Sequence, residues 1–550
     1  MTYKTLKTDA LIIGSGLSGL LCAKQIHDKA KDASILMLGD GWGASPYVHG
    51  FNMPLHSDDS VELFKNDTLK SGKYQSIPEL ANTLCEGTEE VKGELLELGI
   101  NFDRAPDGSY KLLRPLGASV ARVASVGNHT GIEIMKKVRA ILESSDKYTL
   151  MRARALRLFV EGGKVYGALA YVKEKGEFVL IESKLTVLAA GGFCNIYPFS
   201  TNKSDIGGDG VAMAYYAGAS LTDLEFVQFE PSAAVTPQKL RGQSVITTMY
   251  YEGAVLKNAL GERFMLKHSE AGECVDKDVQ SKCIYREIKE GRATENGGVF
   301  FDATGVGEKK LNEMYASYVK RYKNVGIDIS KTPFEIAPAP HTSLGGVVVD
   351  SKCNTEINGL FACGEMIGGL HGANRAGGNA GLETLVFGTI AGKNASEYLL
   401  KDTSGDFVPS KLHCDNFVSS IIYRTSDVAM SEIDINGMRK ELGLILEGKL
   451  SVLRNTADLE SAANELSAML SKVQSVNTDS AKPDEVFSLI RLENDITTAY
   501  LLALSCLERD TSIGCHVRVD CPDADPSAER YRVNVKFGKN GTNVKKVSLK

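Results

Sequence analysis

The run DALIIGSGLSGLLCAKQI, from Asp9 to Ile26, confines the fold more than any other stretch of the chain. Four apolar residues, Ala10 to Ile13, read as a buried strand, and the pattern turns helical from about Leu17. Between them Gly14, Gly16 and Gly19 stand in a G-x-G-x-x-G spacing. The first glycine makes a tight turn, the second lets backbone approach a pyrophosphate, and the third lets helix and strand pack. The helix N-terminus then favours the anion. A second strand in ASILMLGD completes the opening of a βαβ dinucleotide unit. The acidic residue expected at its end, to hold a ribose hydroxyl, is displaced: Gly39 stands there, and Asp40 behind it is the candidate substitute.

Two later stretches, KLTVLAAGGF (Lys184 to Phe193) and EINGLFACGE (Glu356 to Glu365), are continuous apolar runs ending in glycine, as buried parallel strands do. Between roughly Thr236 and His341 the pattern changes to mixed helices and short strands, including KDVQSKCIYREIKEG. That segment is expected to be an inserted domain, bracketed by two halves of the dinucleotide domain. From Lys411 to Pro522 three long stretches carry apolar residues at helical spacing, and RYRVNVKF alternates as a strand does. The expected fold class is α/β, a Rossmann-like domain with an inserted α+β capping domain and a C-terminal helical domain. The expected boundaries are 1–235 with 342–405 for the discontinuous dinucleotide domain, 236–341 for the cap, 406–525 for the helical domain and 526–550 for a C-terminal strand and tail.

Composition removes several function classes. A net charge of -6 and a pI near 6.0 argue against a nucleic-acid surface, and Lys545 and Lys546 read as a solvated tail. Eleven cysteines stand without a CxxC or repeated ligand spacing, so reduced thiols are expected, with no iron–sulfur, haem or other metal site in this chain. The apolar N-terminus is broken by Gly14, Gly16 and Gly19, and no run reaches the roughly 18 apolar residues a membrane span needs, so a cytoplasmic protein without a span is expected.

Several further stretches bear on function together: TNKSDIGGDGVAMAYYAGASLTDLEFVQFEP (Thr201 to Pro231), GAVLKNALGERFM (Gly253 to Met265), HTSLGGVVVD (His341 to Asp350), GLFACGEMIGGLHGANRAGGN (Gly359 to Asn379) and LERDTSIGCHVRVDCPDAD (Leu507 to Asp525). In order and spacing they resemble the flavoprotein subunits of the succinate dehydrogenase and fumarate reductase family, over nearly the whole chain; the last is similar to that family's R-x-E-S-R-G-x-H-x-R-x-D-x-P pattern. The resemblance implies FAD. It implies Gly14, Gly16 and Gly19 at the pyrophosphate, Ala190 and Gly191 beside the adenosine, Asp209 near the flavin and Glu365 on the ribitol. Asp40, Ser45, Asn379, Gly381 and Leu382 complete the expected cofactor contacts. Where some members attach FAD through a histidine, GWGASPYVHGFN has Ala44, so non-covalent FAD is expected, with His49 facing the flavin.

In this family a dicarboxylate lies between flavin and cap. His341 and Arg375 match two of its carboxylate clamps, for which imidazole and guanidinium geometry is suited. Other positions depart from the pattern. The histidine of Q-F-H-P-T is Glu230 in QFEPS; the Thr-Glu pair falls at Ile246 and Thr247; R-G-E-G-G has become YYEGA, keeping Glu252; and the proton-transferring arginine aligns with Lys277, with Lys282 or Arg286 next in reach. An ammonium can deliver a proton. It cannot copy a guanidinium fork. An unpaired buried carboxylate at Glu230 would disfavour an ordinary C4 dicarboxylate.

The resemblance therefore implies an FAD-dependent oxidoreductase, exchanging hydride between flavin N5 and a small organic acid other than plain fumarate or succinate. Lys277, His341, Arg375 and Glu252 are the expected catalytic residues, with Glu230 and Thr247 joining His341 and Arg375 at the substrate. With no redox centre of its own beyond the flavin, the chain is expected to exchange electrons with a separate iron–sulfur subunit. The alternatives are an amino-acid oxidase resembling L-aspartate oxidase, reoxidised by oxygen, or an electron-transfer subunit whose substrate site has degenerated.

Overall fold

The computed structural model describes residues 3–115, 117–203, 205–401, 409–539 and 541–549. Strand β1 (Tyr3–Ile13) is the axis of a seven-stranded sheet, because Ala10 to Ile13 are buried and have parallel neighbours on both sides. After the glycine turn, α1 (Leu17–Lys29) carries the chain to β2 (Ile35–Leu38), parallel to β1. β3 (Tyr148–Met151) pairs parallel with β2. β4 (Arg154–Glu161), β5 (Lys164–Val172) and β6 (Glu177–Leu188) form an antiparallel meander whose last strand returns parallel to β1. The sheet order is β3-β2-β1-β6-β5-β4. Helix α2 (Asp209–Tyr216) follows.

A second sheet, β7-β10-β9-β8, is built from β7 (Val227–Ala234), β8 (Val255–Lys257), β9 (Val299–Asp302) and β10 (Phe334–Ser343). Its own core, which includes Leu256, Phe264, Phe301, Tyr322 and Phe334, is separate from that of the main sheet. α3 (Lys277–Lys289) packs on β7, with Ser281 Oγ donating to the Phe229 carbonyl at 3.2 Å. The strands β7 and β10 are the hinge of the arrangement, since β7 carries Gln228 and Glu230 and β10 carries His341.

The chain then returns to the main sheet. Leu360–Ala362 pairs parallel with the end of β6, beyond the part of β6 that β5 occupies. Helix α4 (Asn379–Leu400) packs on α1. The expected boundary near 405 lies outside the described residues. In the C-terminal region α5 (Thr456–Gln474) packs on α6 (Pro483–Glu508). A hairpin of β11 (Tyr531–Gly538) and β12 (Gly541–Ser548) joins Leu221–Thr222 in a third sheet. Lys545 and Lys546 are thus not a solvated tail. They stand in β12, and Lys546 Nζ lies 2.7 Å from Asp510, because a turn after β11 brings the chain back as a second strand. All eleven cysteines are free thiols. No helix among the described residues is long and apolar enough to cross a membrane.

A seam of buried charge joins the C-terminal region to the segment entering β7. Arg509 Nε donates to Glu225 Oε1 at 2.6 Å and lies 3.9 Å from Asp223; the three side chains are at most 2% exposed. Burial raises both acids, and the Glu225 charge adds to the effect on Asp223, which is pushed up to about 7. A carboxyl raised in the folded state stabilises the fold below its unfolded pKa and loses that contribution as pH rises through the folded one. Arg509→Met removes the cation hydrogen-bonded to Glu225, leaving Arg532 to act on Asp223 and Arg454 on Glu225, and is expected to cost about 3 kcal/mol at pH 8, the low end for a broken buried pair. Because protonation relieves the loss, the deficit should shrink at pH 5, as denaturant midpoints of wild type and variant at the two pH values will show; an equal deficit at both would exclude this role.

Candidate active site and cofactor cleft

The turns after β1 and β6 meet. Gly14 has φ +120°, and a Cβ there would stand 2.1 Å from the Ala189 carbonyl oxygen, so only glycine permits the contact. Around it lies a cleft of about 1090 Å3, counted with its solvent-open part and lined by Gly14, Gly16, Asp40, Ser45, Ala190, Gly191, Asp209, Glu365 and Gly381 among others. Two helices start at this cleft, α1 after Gly16 and α4 after Gly378, and neither N-cap supplies a side-chain oxygen. Helix N-termini with free N–H groups and positive dipole ends attract anionic groups. The space, the close backbone approach and the two helix N-termini fit a dinucleotide with an anionic pyrophosphate.

The remaining expected cofactor residues have distinct places. Ser45 Oγ accepts from the Leu17 N–H at 2.9 Å, so it caps α1 from across the cleft. Gly19 lies beneath the turn, where a Cβ would meet the Gly14 carbonyl oxygen at 2.1 Å, and is a packing residue. Asp40 is exposed, with Arg154 at 3.7 Å. Asn379 binds inward, accepting from Asn52 Nδ2 at 2.6 Å and donating to Thr68 Oγ1 at 3.1 Å. Leu382 is in the core, and His49 is exposed, 3.2 Å from the Asn128 carbonyl. None of these last three lines the cleft.

Arg154 does line it, and sequence reading missed it. Its Nε donates to Asp209 Oδ2 at 2.6 Å, and Asn494 Nδ2 donates to Asp209 Oδ1 at 2.7 Å. Burial works against the Asp209 charge, but Arg154, Arg491 and Asn494 hold its carboxyl below the usual range. The only signal for Arg154 is its place at the start of a largely apolar strand, β4, which does not separate it from an ordinary edge arginine. On the opposite side Glu365 Oε1 accepts from the Ser343 N–H at 3.0 Å and its Oγ at 3.2 Å, while burial pushes the Glu365 carboxyl up to about 7.

Beyond Glu365 the fold gathers four of the expected substrate-side residues: Glu230 from β7, Lys277 from the first turn of α3, His341 from β10 and Arg375 from the glycine-rich run. The run is held tightly. Gly372 has φ +61°, with Gly72 and Ser76 backbone against it, and the Cys515 N–H donates to the Ala373 carbonyl at 2.8 Å. Gln228 Nε2 donates to Asn374 Oδ1 at 2.9 Å and to the Arg375 carbonyl at 3.1 Å. His371 does not join the cluster; its Nε2 lies 2.9 Å from Glu383 Oε2 of α4. Arg375 is 7% exposed. Burial weighs against its charge more than Glu230, Glu365 and Glu383 restore it, yet a guanidinium stays protonated in proteins.

Glu230 is not the unpaired carboxylate that the sequence suggested. It is 2% exposed, and its Oε2 accepts a hydrogen bond from Lys277 Nζ. The two departures from the family pattern therefore meet and neutralise each other. His341 Nδ1 lies 2.7 Å from Thr201 Oγ1, and burial, then Lys277 and Arg375, draw its pKa well below the ordinary value. The imidazole is neutral at physiological pH. Thr247 is buried at the start of the turn Thr247–Glu252. Glu252 points elsewhere, pairing with Lys310 of the cap. Lys282 lines a separate crevice with Asp278 and Asp523.

Comparison with known proteins agrees with this geometry. A family model described as FAD binding domain matches residues 9–380, and one described as fumarate reductase flavoprotein C-term matches residues 439–548. The chain is 32% identical over 541 residues to one subunit of the fumarate reductase (CoM/CoB) of Methanothermobacter marburgensis, covering 96% of this chain and 97% of that one. It is 29% identical over 546 residues to the L-aspartate oxidase of Pseudomonas aeruginosa, covering 94% and 96%. Among solved structures, an E. coli quinol fumarate reductase chain superposes with a TM-score of 0.89 at 25% identity, covering 99% of this chain and 97% of that one. The cleft has the size and the helix N-termini that FAD requires, and its lining residues named above, all but Gly381, fall within the residues that the FAD binding domain matches.

The Glu230–Lys277 contact is testable through stability. Glu230→Gln and Lys277→Met each leave one charge without its partner and are expected to cost about 1–3 kcal/mol, the lower part of the buried-pair range because Lys277 keeps some solvent. The double variant should be destabilised by clearly less than the sum. Additive denaturant midpoints across the four proteins would show that the two groups do not interact.

Proposed function

The chain belongs to the succinate dehydrogenase and fumarate reductase flavoprotein family and is an FAD-dependent oxidoreductase; on that footing we propose that its substrate is a small organic acid other than plain fumarate or succinate, and that its electrons pass to or from a separate iron–sulfur subunit. FAD, when bound, supplies the hydride donor or acceptor. The protein's own groups supply binding, orientation and a proton. Arg375 receives a carboxylate through a charge-assisted pair, and its loop is too closely packed to move aside. His341, uncharged, offers a hydrogen bond rather than a second positive charge. Lys277 carries the proton that a carbon gains or loses opposite the hydride, with Glu230 holding its ammonium in place.

The observation that carries this reading is the Glu230–Lys277 pair. A cluster that keeps Arg375 and His341 while placing a carboxylate and an ammonium against each other still handles an acid, but presents one free guanidinium instead of several free cations. The separate electron partner is supported by the absence of any CxxC or haem-attachment spacing, which leaves the flavin as the chain's evident redox centre.

The test is anaerobic. Purified protein, bleached with dithionite, is mixed with a panel of unsaturated and oxo acids, and the return of flavin absorbance is followed. Reoxidation by an acid other than fumarate is expected, and rapid reoxidation by fumarate would overturn the substrate reading. Lys277→Met is expected to keep the flavin and lose at least a hundredfold in rate, in the roughly 10²–10⁴ range typical of a proton-transfer group; an unchanged rate removes Lys277 from the reaction. Oxygen consumption with amino acids, in place of acid-driven reoxidation, would favour the oxidase alternative.

A further inference from the structure

The charges around Arg375 can be counted. Glu230 and Lys277 cancel one another, His341 is uncharged, and although Glu365 and Glu383 also lie near enough to act on Arg375, no carboxylate among the described residues is hydrogen-bonded to it. Two polar atoms of this cluster are buried without a partner among the described residues: Glu230 Oε1, which as part of a paired carboxylate only accepts, and Arg375 Nε, which only donates. A ligand with one carboxylate satisfies the guanidinium and leaves the cluster neutral. A second carboxylate has no cation of the cluster to meet, because the Lys277 ammonium is held by Glu230, and it would lie against Glu230 Oε1 as acceptor against acceptor. What that oxygen requires is a hydrogen-bond donor. An ammonium at that oxygen would lie beside the Lys277 ammonium already held by the same carboxylate, like charge against like, whereas a hydroxyl meets no such repulsion.

Resting on the reading that this cluster receives an organic acid, we infer that the ligand is a monocarboxylate bearing a neutral donor, a hydroxyl, close to the carboxylate: Arg375 takes the acid and Glu230 reads the hydroxyl. Glu230 is then a specificity-determining residue. It selects for a hydroxyl and excludes dicarboxylates, both by leaving Oε1 free and by occupying Lys277.

Binding to the FAD-loaded protein tests this without turnover. Oxidised holoprotein is titrated with lactate, glycolate, propionate, alanine, malonate and succinate, following the perturbation of flavin absorbance and, independently, the shift in melting temperature. Lactate or glycolate is expected to bind at least tenfold tighter than propionate, which lacks the donor, and than succinate or malonate. In Glu230→Gln the freed ammonium should tighten succinate and malonate at least tenfold and remove the hydroxy acids' advantage over them. Glu230→Asp, which keeps the charge, should keep the wild-type ranking. Dicarboxylates winning in the wild type, alanine outranking lactate, or a ranking unmoved by Glu230→Gln would each overturn the inference while leaving an acid-binding enzyme intact. If none of the acids moves either signal, the proposed function falls with it. Retention of flavin by both variants establishes that they are folded; if Glu230→Gln loses flavin, the wild-type ranking and Glu230→Asp still decide the question.

Discussion

The contact between the Gly14 backbone and the Ala189 carbonyl governs the geometry of everything around it. It brings the ends of β1 and β6 together, and with them the N-terminus of α1 and the Ala190–Gly191 turn, on one side of a single cleft. α4 starts at the same cleft although it lies far along the chain, and its first turn sits against Asn52 and Val48. Two helix N-termini in one cavity, their dipoles directed into it, make it a place for a large anionic cofactor. The cluster around Arg375 is a consequence, because Glu365 lines the cleft while Arg375, in the same glycine-rich run, lies within electrostatic reach of Glu230 on β7.

The second sheet contributes what the main sheet does not. β7 and β10 are laid side by side, which places Glu230 and His341 together, and α3 crosses β7 so that Lys277 reaches back to Glu230. The departures at 230 and 277 are one change rather than two. A carboxylate that is nearly inaccessible to water is expensive alone and acceptable with an ammonium against it. Where the family pattern has a histidine and an arginine, this pair carries no net charge. The glutamate retained at 252 has no such place, being drawn to Lys310.

The seam of Asp223, Glu225 and Arg509 links these parts to the C-terminal region. It fixes the segment that enters β7, and the Cys515 N–H bound to Ala373 fixes the loop that carries Arg375. The two sides of the cluster are thus anchored to the same stretch, residues 509–515, which the sequence marks as a family motif without showing what it anchors.

The flavin fold was already written in local sequence. Strand, glycine turn and helix at Ala10 to Leu17 are set by steric demands that neighbouring residues contain, and the long apolar runs at Lys184 and Glu356 could only be buried strands. Gly14 and Gly16 could be placed at a strand-to-helix turn for that reason, whereas Asp209, Glu365, Arg375 and His341 were singled out only through the resemblance of their motifs to a family. The inward placement of Asn379 and Leu382 was not legible, because a residue next to a cofactor motif can face the cleft or the core, and helical phase and packing choose between them. Arg154 was invisible, since its partner Asp209 is 55 residues away. The meaning of Glu230 and Lys277 emerged in the folded arrangement alone. Each is an anomaly in its own motif; 47 positions apart in the chain, they become a neutral pair when α3 crosses β7, because the cost of burying either charge depends on what lies against it.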